Sequence, residues 1–170
     1  MSFPLKRFLL CLATLCVLFN TPLTQAEVKG SFTETSVCGN SAVHQTVRIN
    51  DDRQHSVSLD QRPCTSKAPI EIGGLTGTDY ISYGVDDVQD QHSIDRGYVV
   101  GTMKNGDRYF LSYEGTATMN GSIPEHLEGK WTFTGGSGRL KQLQGSGTYT
   151  AKATADGGME FVIRGNYELP

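Results

Sequence analysis

Over residues 159–169, its last stretch, this chain alternates mostly apolar side chains with mostly polar ones. Met159, Phe161, Ile163, Gly165, Tyr167 and Leu169 fall on one side, and Glu160, Val162, Arg164, Asn166 and Glu168 on the other. A period of two puts the first set on one face of a β-strand and the second on the opposite face. The 20 glycines interrupt every window that could otherwise continue as a long amphipathic helix. A chain built this way is dictated to be all-β.

The same pattern recurs upstream. A strand over about 145–154 puts Gly145, Gly147, Tyr149, Ala151 and Ala153 on one face, and Asp156-Gly157-Gly158 turns it into the last strand. Asp and Gly tolerate the positive φ angles of a tight hairpin. Asn105-Gly106 joins strands at about 96–104 and 108–118 for the same reason, and in the second of these Tyr109, Leu111, Tyr113, Gly115 and Ala117 share a face. Further strands are expected at 129–134, with Trp131 and Phe133 together, and at 79–88. Weaker ones are expected at 28–36, 42–49 and 54–60. Pro63, Pro69 and Gly73-Gly74 mark a loop over 61–77 that also holds Cys64.

About eight strands joined by short turns would leave two unpaired edges if the sheet stayed open, and exposed edges invite aggregation. Closure into an antiparallel barrel removes them. At this strand number the interior takes side chains or one small ligand. Trp131, Phe133, Tyr149, Phe161 and Tyr113 are the expected inward residues, and a two-layer sandwich is the rival architecture.

Residues 1–26 have the layout of a secretory signal peptide. Lys6 and Arg7 precede an apolar run from Phe8 to Phe19, and Thr24-Gln25-Ala26 offers a small-x-small cleavage site before Glu27. The expected organisation is therefore a signal peptide at 1–26 and one barrel domain at 27–170, placed in the periplasm or secreted, with no membrane span after cleavage. Without Lys6 and Arg7 the chain carries a net charge of about −5 and no basic cluster, which argues against nucleic acid and anionic membrane surfaces as partners. Cys11 and Cys16 belong to the leader. Cys38 and Cys64 then remain as one pair, expected to form a disulfide in an oxidising compartment, at a gain of roughly 3 kcal/mol by chain entropy.

Residues 129–149 carry a resemblance. Gly135-Gly136-Ser137-Gly138-Arg139-Leu140 follows one strand, and Gly145-Ser146-Gly147 opens the next. This arrangement resembles the allene oxide cyclase-like barrel superfamily, which includes the plant dirigent proteins. Gly106-Asp107 with Tyr109-Phe110, and the closing Gly165-Asn166-Tyr167-Glu168-Leu169, are similar to its bacterial exported branch. The resemblance covers about 95–170 and implies an eight-stranded antiparallel barrel. It implies no particular activity, and it transfers no catalytic residue to a position here.

Few motifs suggest chemistry. A phosphate loop at Gly135–Gly138 would need a following helix and a Lys-Ser/Thr pair; Arg139-Leu140-Lys141 leads instead toward another strand, so the segment reads as a turn. Asp86, Asp87, Asp90 and His92 form the densest ligand-type cluster, with Asp86, Asp90 and His92 on one face if the strand runs through them. They read as a solvated strand end rather than a metal site. His44, His55 and His126 show no metal spacing and read as surface residues. Asn120-Gly121-Ser122 reads as a turn. No metal and no cofactor are expected, and the catalytic residues are unknown.

Tyr113, Trp131 and Tyr149 are the candidate ligand-binding residues. Binding of a small apolar or amphipathic molecule without turnover is the favoured reading. A cyclase- or dirigent-type enzyme is the alternative, distinguished by an inward Asp, Glu or Arg beside Tyr113 or Tyr149. A filled barrel working through protein contacts, as a homo-oligomer for example, is the third.

Overall fold

The computed structural model describes residues 27–51, 53–121 and 123–170. The leader expected at 1–26, with its cleavage site, lies outside the described residues. The described residues form nine strands: β1 (Val28–Cys38), β2 (Val43–Arg48), β3 (His55–Ile72), β4 (Leu75–Gln89), β5 (His92–Met103), β6 (Arg108–Asn120), β7 (Ile123–Gly136), β8 (Gln144–Ala153) and β9 (Met159–Leu169). Every pairing is antiparallel, and the sheet runs β1-β9-β8-β7-β6-β5-β4-β3-β2.

Closure comes from β1 meeting β3 over Ser36↔Ser66, Val37↔Thr65 and Cys38↔Cys64. The Cys38–Cys64 disulfide joins the last of these directly opposed pairs. β2 continues the closure, since Gly39 N–H donates to the Pro63 carbonyl, Ala42 N–H to that of Gln61, and Val43 then opposes Gln61. The result is an eight-stranded closed barrel, with β2 as an extra strand prolonging the β1 ladder along β3.

The loop expected at 61–77 is corrected. β3 runs on through Pro63, Cys64 and Pro69 to Ile72, Gly73-Gly74 makes the turn, and β4 starts at Leu75. Proline is tolerated in a strand at an edge or a bulge, and Pro69 lies inside a register shift between Thr65 and Ile70. The turns expected at Asn105-Gly106 and Asp156-Gly157-Gly158 connect β5 to β6 and β8 to β9, with Gly106 and Gly157 at positive φ.

Alternation sorts each strand into an inner and an outer set. Trp131, Phe133 and Tyr149 are buried, and Tyr113 and Phe161 pack against them. One end of the barrel is stoppered by Ile72, Met103, Leu140 and Leu143, each 2 % exposed or less. Leu140 reaches that plug from the short 3-10 turn Gly138–Leu140. The Gly135–Gly138 segment is therefore a fold element that delivers a stopper.

Outer faces differ around the barrel. Thr132, Thr134, Thr148 and Thr150 cover β7 and β8, all exposed. On β3 to β5, however, Leu59, Tyr83, Ile94 and Tyr98 are exposed, and Tyr83 directly opposes Tyr98.

Candidate functional site

A cavity of about 70 Å³ lies between the stopper and the middle of the barrel. Aromatic rings make most of its wall. Trp131 stacks on Phe32 at 5.6 Å and meets Phe133 edge-on at 4.8 Å, and Tyr109 meets Phe133 edge-on at 5.8 Å. Tyr113 and Tyr149 form a further edge-to-face pair at 5.9 Å. All three residues expected to bind a ligand, Tyr113, Trp131 and Tyr149, stand on this wall.

Two inner glycines make the tyrosine pair fit. A Cβ on Gly97 would lie 2.7 Å from the Tyr113 hydroxyl, and one on Gly115 would collide with that of Tyr149. Tyr113 passes over Gly97 of the neighbouring β5, and Tyr149 passes over Gly129 of the neighbouring β7 to reach Gly115 of β6, close approaches that glycine permits.

Acidic residues complete the wall, and none of them is among the expected ligand-binding set. Asp95 is 8 % exposed, lines the cavity and accepts a 3.2 Å hydrogen bond from the Tyr149 hydroxyl. Register places it directly opposite Asp86, and Asp60 opposite Gly84, one inward step from Asp86. Three strands thus bring three carboxyl groups into one layer. Like charges directly opposed across a ladder repel, and low-dielectric surroundings penalise each charge further.

Protons resolve the conflict. Burial, then the charge of Asp86, raises Asp95 from the ordinary 3.8 to about 7. Burial, then the charge of Asp60, raises Asp86 to about 6. Burial also opposes ionisation of Asp60, but Ser41, His44 and Arg62 together outweigh it and hold this carboxyl below its ordinary range. Asp60 accepts from the Ser41 hydroxyl and from Arg62 Nη2 at 3.3 Å, and contacts His44 Nδ1 at 2.9 Å. Near neutral pH the layer therefore holds one anchored anion, Asp60, and a proton on the Asp86–Asp95 pair. Such pairs, pushed apart in their titration by environment, are how acid–base sites are built.

His44 Nε2 in turn contacts Thr46 Oγ1 at 3.0 Å, and the His44 side chain is 55 % exposed. Polar groups thus follow one another from the surface inward, His44 bonded to Asp60, Asp60 and Asp86 on one inner layer, Asp86 opposite Asp95, and Asp95 bonded to Tyr149. A second, separate carboxyl, Glu34, is buried where β1 leaves β3 and accepts from the Ser66 hydroxyl. Burial raises it. Nearby, the Tyr80 hydroxyl contacts Ser36 Oγ at 2.5 Å.

The acidic run at 86–92 is corrected in detail. A turn after Gln89, with Asp90 at φ 56°, separates Asp86 from His92, so they share no site. Asp86 turns to the inner layer while Asp87 Oδ1 contacts His55 Nε2 at 2.9 Å. His55 is not free at the surface, because its Nδ1 also contacts Asp51 Oδ2 at 2.8 Å. These two carboxylates raise its pKa, Asp51 more than Asp87. No group of three metal-ligating side chains is found among the described residues. No helix there is long and apolar enough to cross a membrane.

Comparison with known proteins adds the fold. No family model and no curated protein matches this sequence. Among solved structures, the pterocarpan synthase dirigent protein GePTS1 superposes with a TM-score of 0.51 at 10 % identity, covering 86 % of this chain and 88 % of that one. The fold is a dirigent-like barrel. The pterocarpan synthase dirigent protein PsPTS1 is also similar, at a TM-score of 0.47 and 13 % identity over 85 % of this chain and 97 % of that one. The dirigent-like likeness implied by Gly135–Leu140 and Gly145–Gly147 thus holds at the level of fold.

The sequence does carry a signal for one of these carboxyls. Asp95 lies in the series Ser93, Asp95, Gly97, Val99, Gly101 and Met103, the inner face of β5, and a charged residue on such a face marks a site. Asp60 has no comparable signal, because a loop read over 61–77 cuts its strand short.

Proposed function

We propose that this protein binds a small amphipathic, partly aromatic molecule in the barrel and transfers a proton to or from it. One observation carries the reading. Asp95, buried on the cavity wall and raised to about 7, is bonded to Tyr149 and opposes Asp86. An acid whose pKa sits near the working pH has the strongest general acid–base competence. The inward carboxyl beside Tyr149 is the feature that separates a cyclase- or dirigent-type site from a purely apolar binding pocket, and it favours the former.

In this reading the aromatic wall binds the flat part of the ligand. Asp95 gives or takes the proton, Tyr149 orients the carboxyl, and Asp86, Asp60 and His44 exchange that proton with solvent. Tyr113, whose hydroxyl lies 3.2 Å from Ser82 Oγ, positions the ligand's polar end. Residues 1–26 are proposed to direct export, and N-terminal sequencing of the exported product would then begin at Glu27.

Trp131 is the only tryptophan and lines the cavity, so its emission reports binding there alone. A panel of phenols and enolisable ketones is first screened by Trp131 quenching. The binders are then followed by NMR in D2O for exchange of carbon-bound hydrogen. Exchange accelerated over buffer and reduced at least 100-fold in Asp95→Asn supports the reading. Binding with no accelerated exchange leaves a binding protein and removes the chemistry.

A further inference from the structure

The barrel wall has a seam. β1 pairs with β3 only at residues 36–38, so among the described residues Val28–Thr35 presents a strand edge to no neighbour on that side. Across the gap, Lys67, Ala68 and Pro69 pair with neither β1 nor β4, because the β4 register jumps from Thr65 to Ile70. Pro69 has no N–H to offer a ladder, which suits a segment that stays unzipped. A cleft of about 590 Å³ fills the gap.

Cleft and cavity are continuous in their walls, since Phe32, Glu34 and Ile70 line both. Size makes this matter. An apolar cavity of about 150 Å³ takes benzene, so the inner 70 Å³ holds less than one aromatic ring with substituents. At the barrel end nearest the cavity, Ile72, Leu140 and Leu143 leave no opening. A larger ligand reaches beyond the cavity, and the cleft is a space that shares its wall.

From this juxtaposition we propose that the β1–β3 seam is the doorway of the barrel and the outer half of its binding site. Glu34 stands at the threshold and accepts a hydrogen bond from a hydroxyl or amine on a flat apolar ligand. Glu34 is buried with the Ser66 hydroxyl as its hydrogen-bond partner, and among the described residues no cation is bonded to it. A buried carboxyl so placed gains from a donor that arrives with the ligand. The rim adds Lys67, already paired with Glu160, and Glu71, so an anionic ligand is disfavoured at the same door. This inference rests on the binding half of the proposed function and not on its proton chemistry.

Trp131 stands one ring behind Phe32, which lines the cleft, so two measurements test the doorway. The first needs no ligand: acrylamide quenching of Trp131 in the full exported chain. The second is stopped-flow association of N-phenyl-1-naphthylamine, a neutral aromatic amine with one N–H donor. Ala68→Phe fills the cleft from an exposed position, and Thr33→Phe does so from the opposite jamb, so a folding failure in one leaves the other. Each is expected to lower the acrylamide quenching constant at least threefold and to slow dye association about tenfold. Met119→Phe, at the far end of the barrel, is expected to change neither.

Unchanged quenching in both folded plug variants, as judged by wild-type melting and circular dichroism, overturns the doorway. Dye that binds and associates at the wild-type rate in both overturns it as well. Failure of the wild type to bind any aromatic probe sinks the proposed function instead, and acrylamide still decides the seam.

Discussion

Replacing Asp95 with asparagine removes the upper titration of the inner carboxyl layer while keeping its shape. The amide oxygen still accepts from Tyr149, and the amide N–H₂ donates toward Asp86, as the shared proton does. In the wild type the folded state raises Asp95 from 3.8 to about 7. A pKa raised by folding stabilises the protein while the group is protonated in both states, below about pH 4. That contribution is lost as pH climbs through about 7. A displacement of roughly three pH units, at about 1.4 kcal/mol each, puts the loss at about 4 kcal/mol at most. The amide of Asp95→Asn cannot ionise, so the variant should gain on the wild type as pH rises. Thermal melts in matched buffers at pH 4.5 and pH 8 read the difference directly. The variant should melt within a few degrees of wild type at pH 4.5 and on the order of 10 °C higher at pH 8. A gap that is the same at both pH values, or a variant less stable at pH 8, would refute the shared-proton account.

Removing the disulfide by Cys38→Ala with Cys64→Ala should cost about 2–4 kcal/mol in urea unfolding, since the bond joins the closing pair of the barrel. Gly115→Ala drives a methyl into the Tyr149 hydroxyl; it should cost about 1–3 kcal/mol by overpacking and break the Tyr149–Asp95 bond, seen as a shifted Asp95 titration by NMR. Leu140→Ala opens the stopper and should cost about 2–5 kcal/mol in the same urea assay. His55 should titrate above its ordinary 6.5 by NMR, because Asp51 and then Asp87 favour its charged form. The clamp that it makes between them is complete below 6.5 and weakens as pH rises through the raised value. In Asp51→Asn the His55 titration should fall back toward 6.5.

Much of the fold was legible because its signals are local. Asn105-Gly106 and Asp156-Gly157-Gly158 fix hairpins within a few residues, and the 159–169 alternation fixes which face of β9 goes inward. The inward set Trp131, Phe133 and Tyr149 follows from the same period. Errors arose where a local rule met a tertiary exception. Pro63 and Pro69 read as loop punctuation, but closure on one side and a bulge on the other leave β3 able to carry them. Asp86 read as part of a solvated run, yet it turns inward while Asp87, its neighbour, reaches His55.

The sequence by itself determined an all-β chain, its hairpins, its inward aromatic face and the cysteine pair. Each of these depends on side-chain period or on composition within a short window. Only the tertiary structure decided that Asp60, Asp86 and Asp95 meet in one layer, that Glu34 sits beside a gap in the wall, and that β2 prolongs β1. Those facts depend on which residue opposes which across ladders up to tens of residues apart, and on where closure stops at Ser36↔Ser66. A one-residue change of register would turn every one of these carboxyls to the other face.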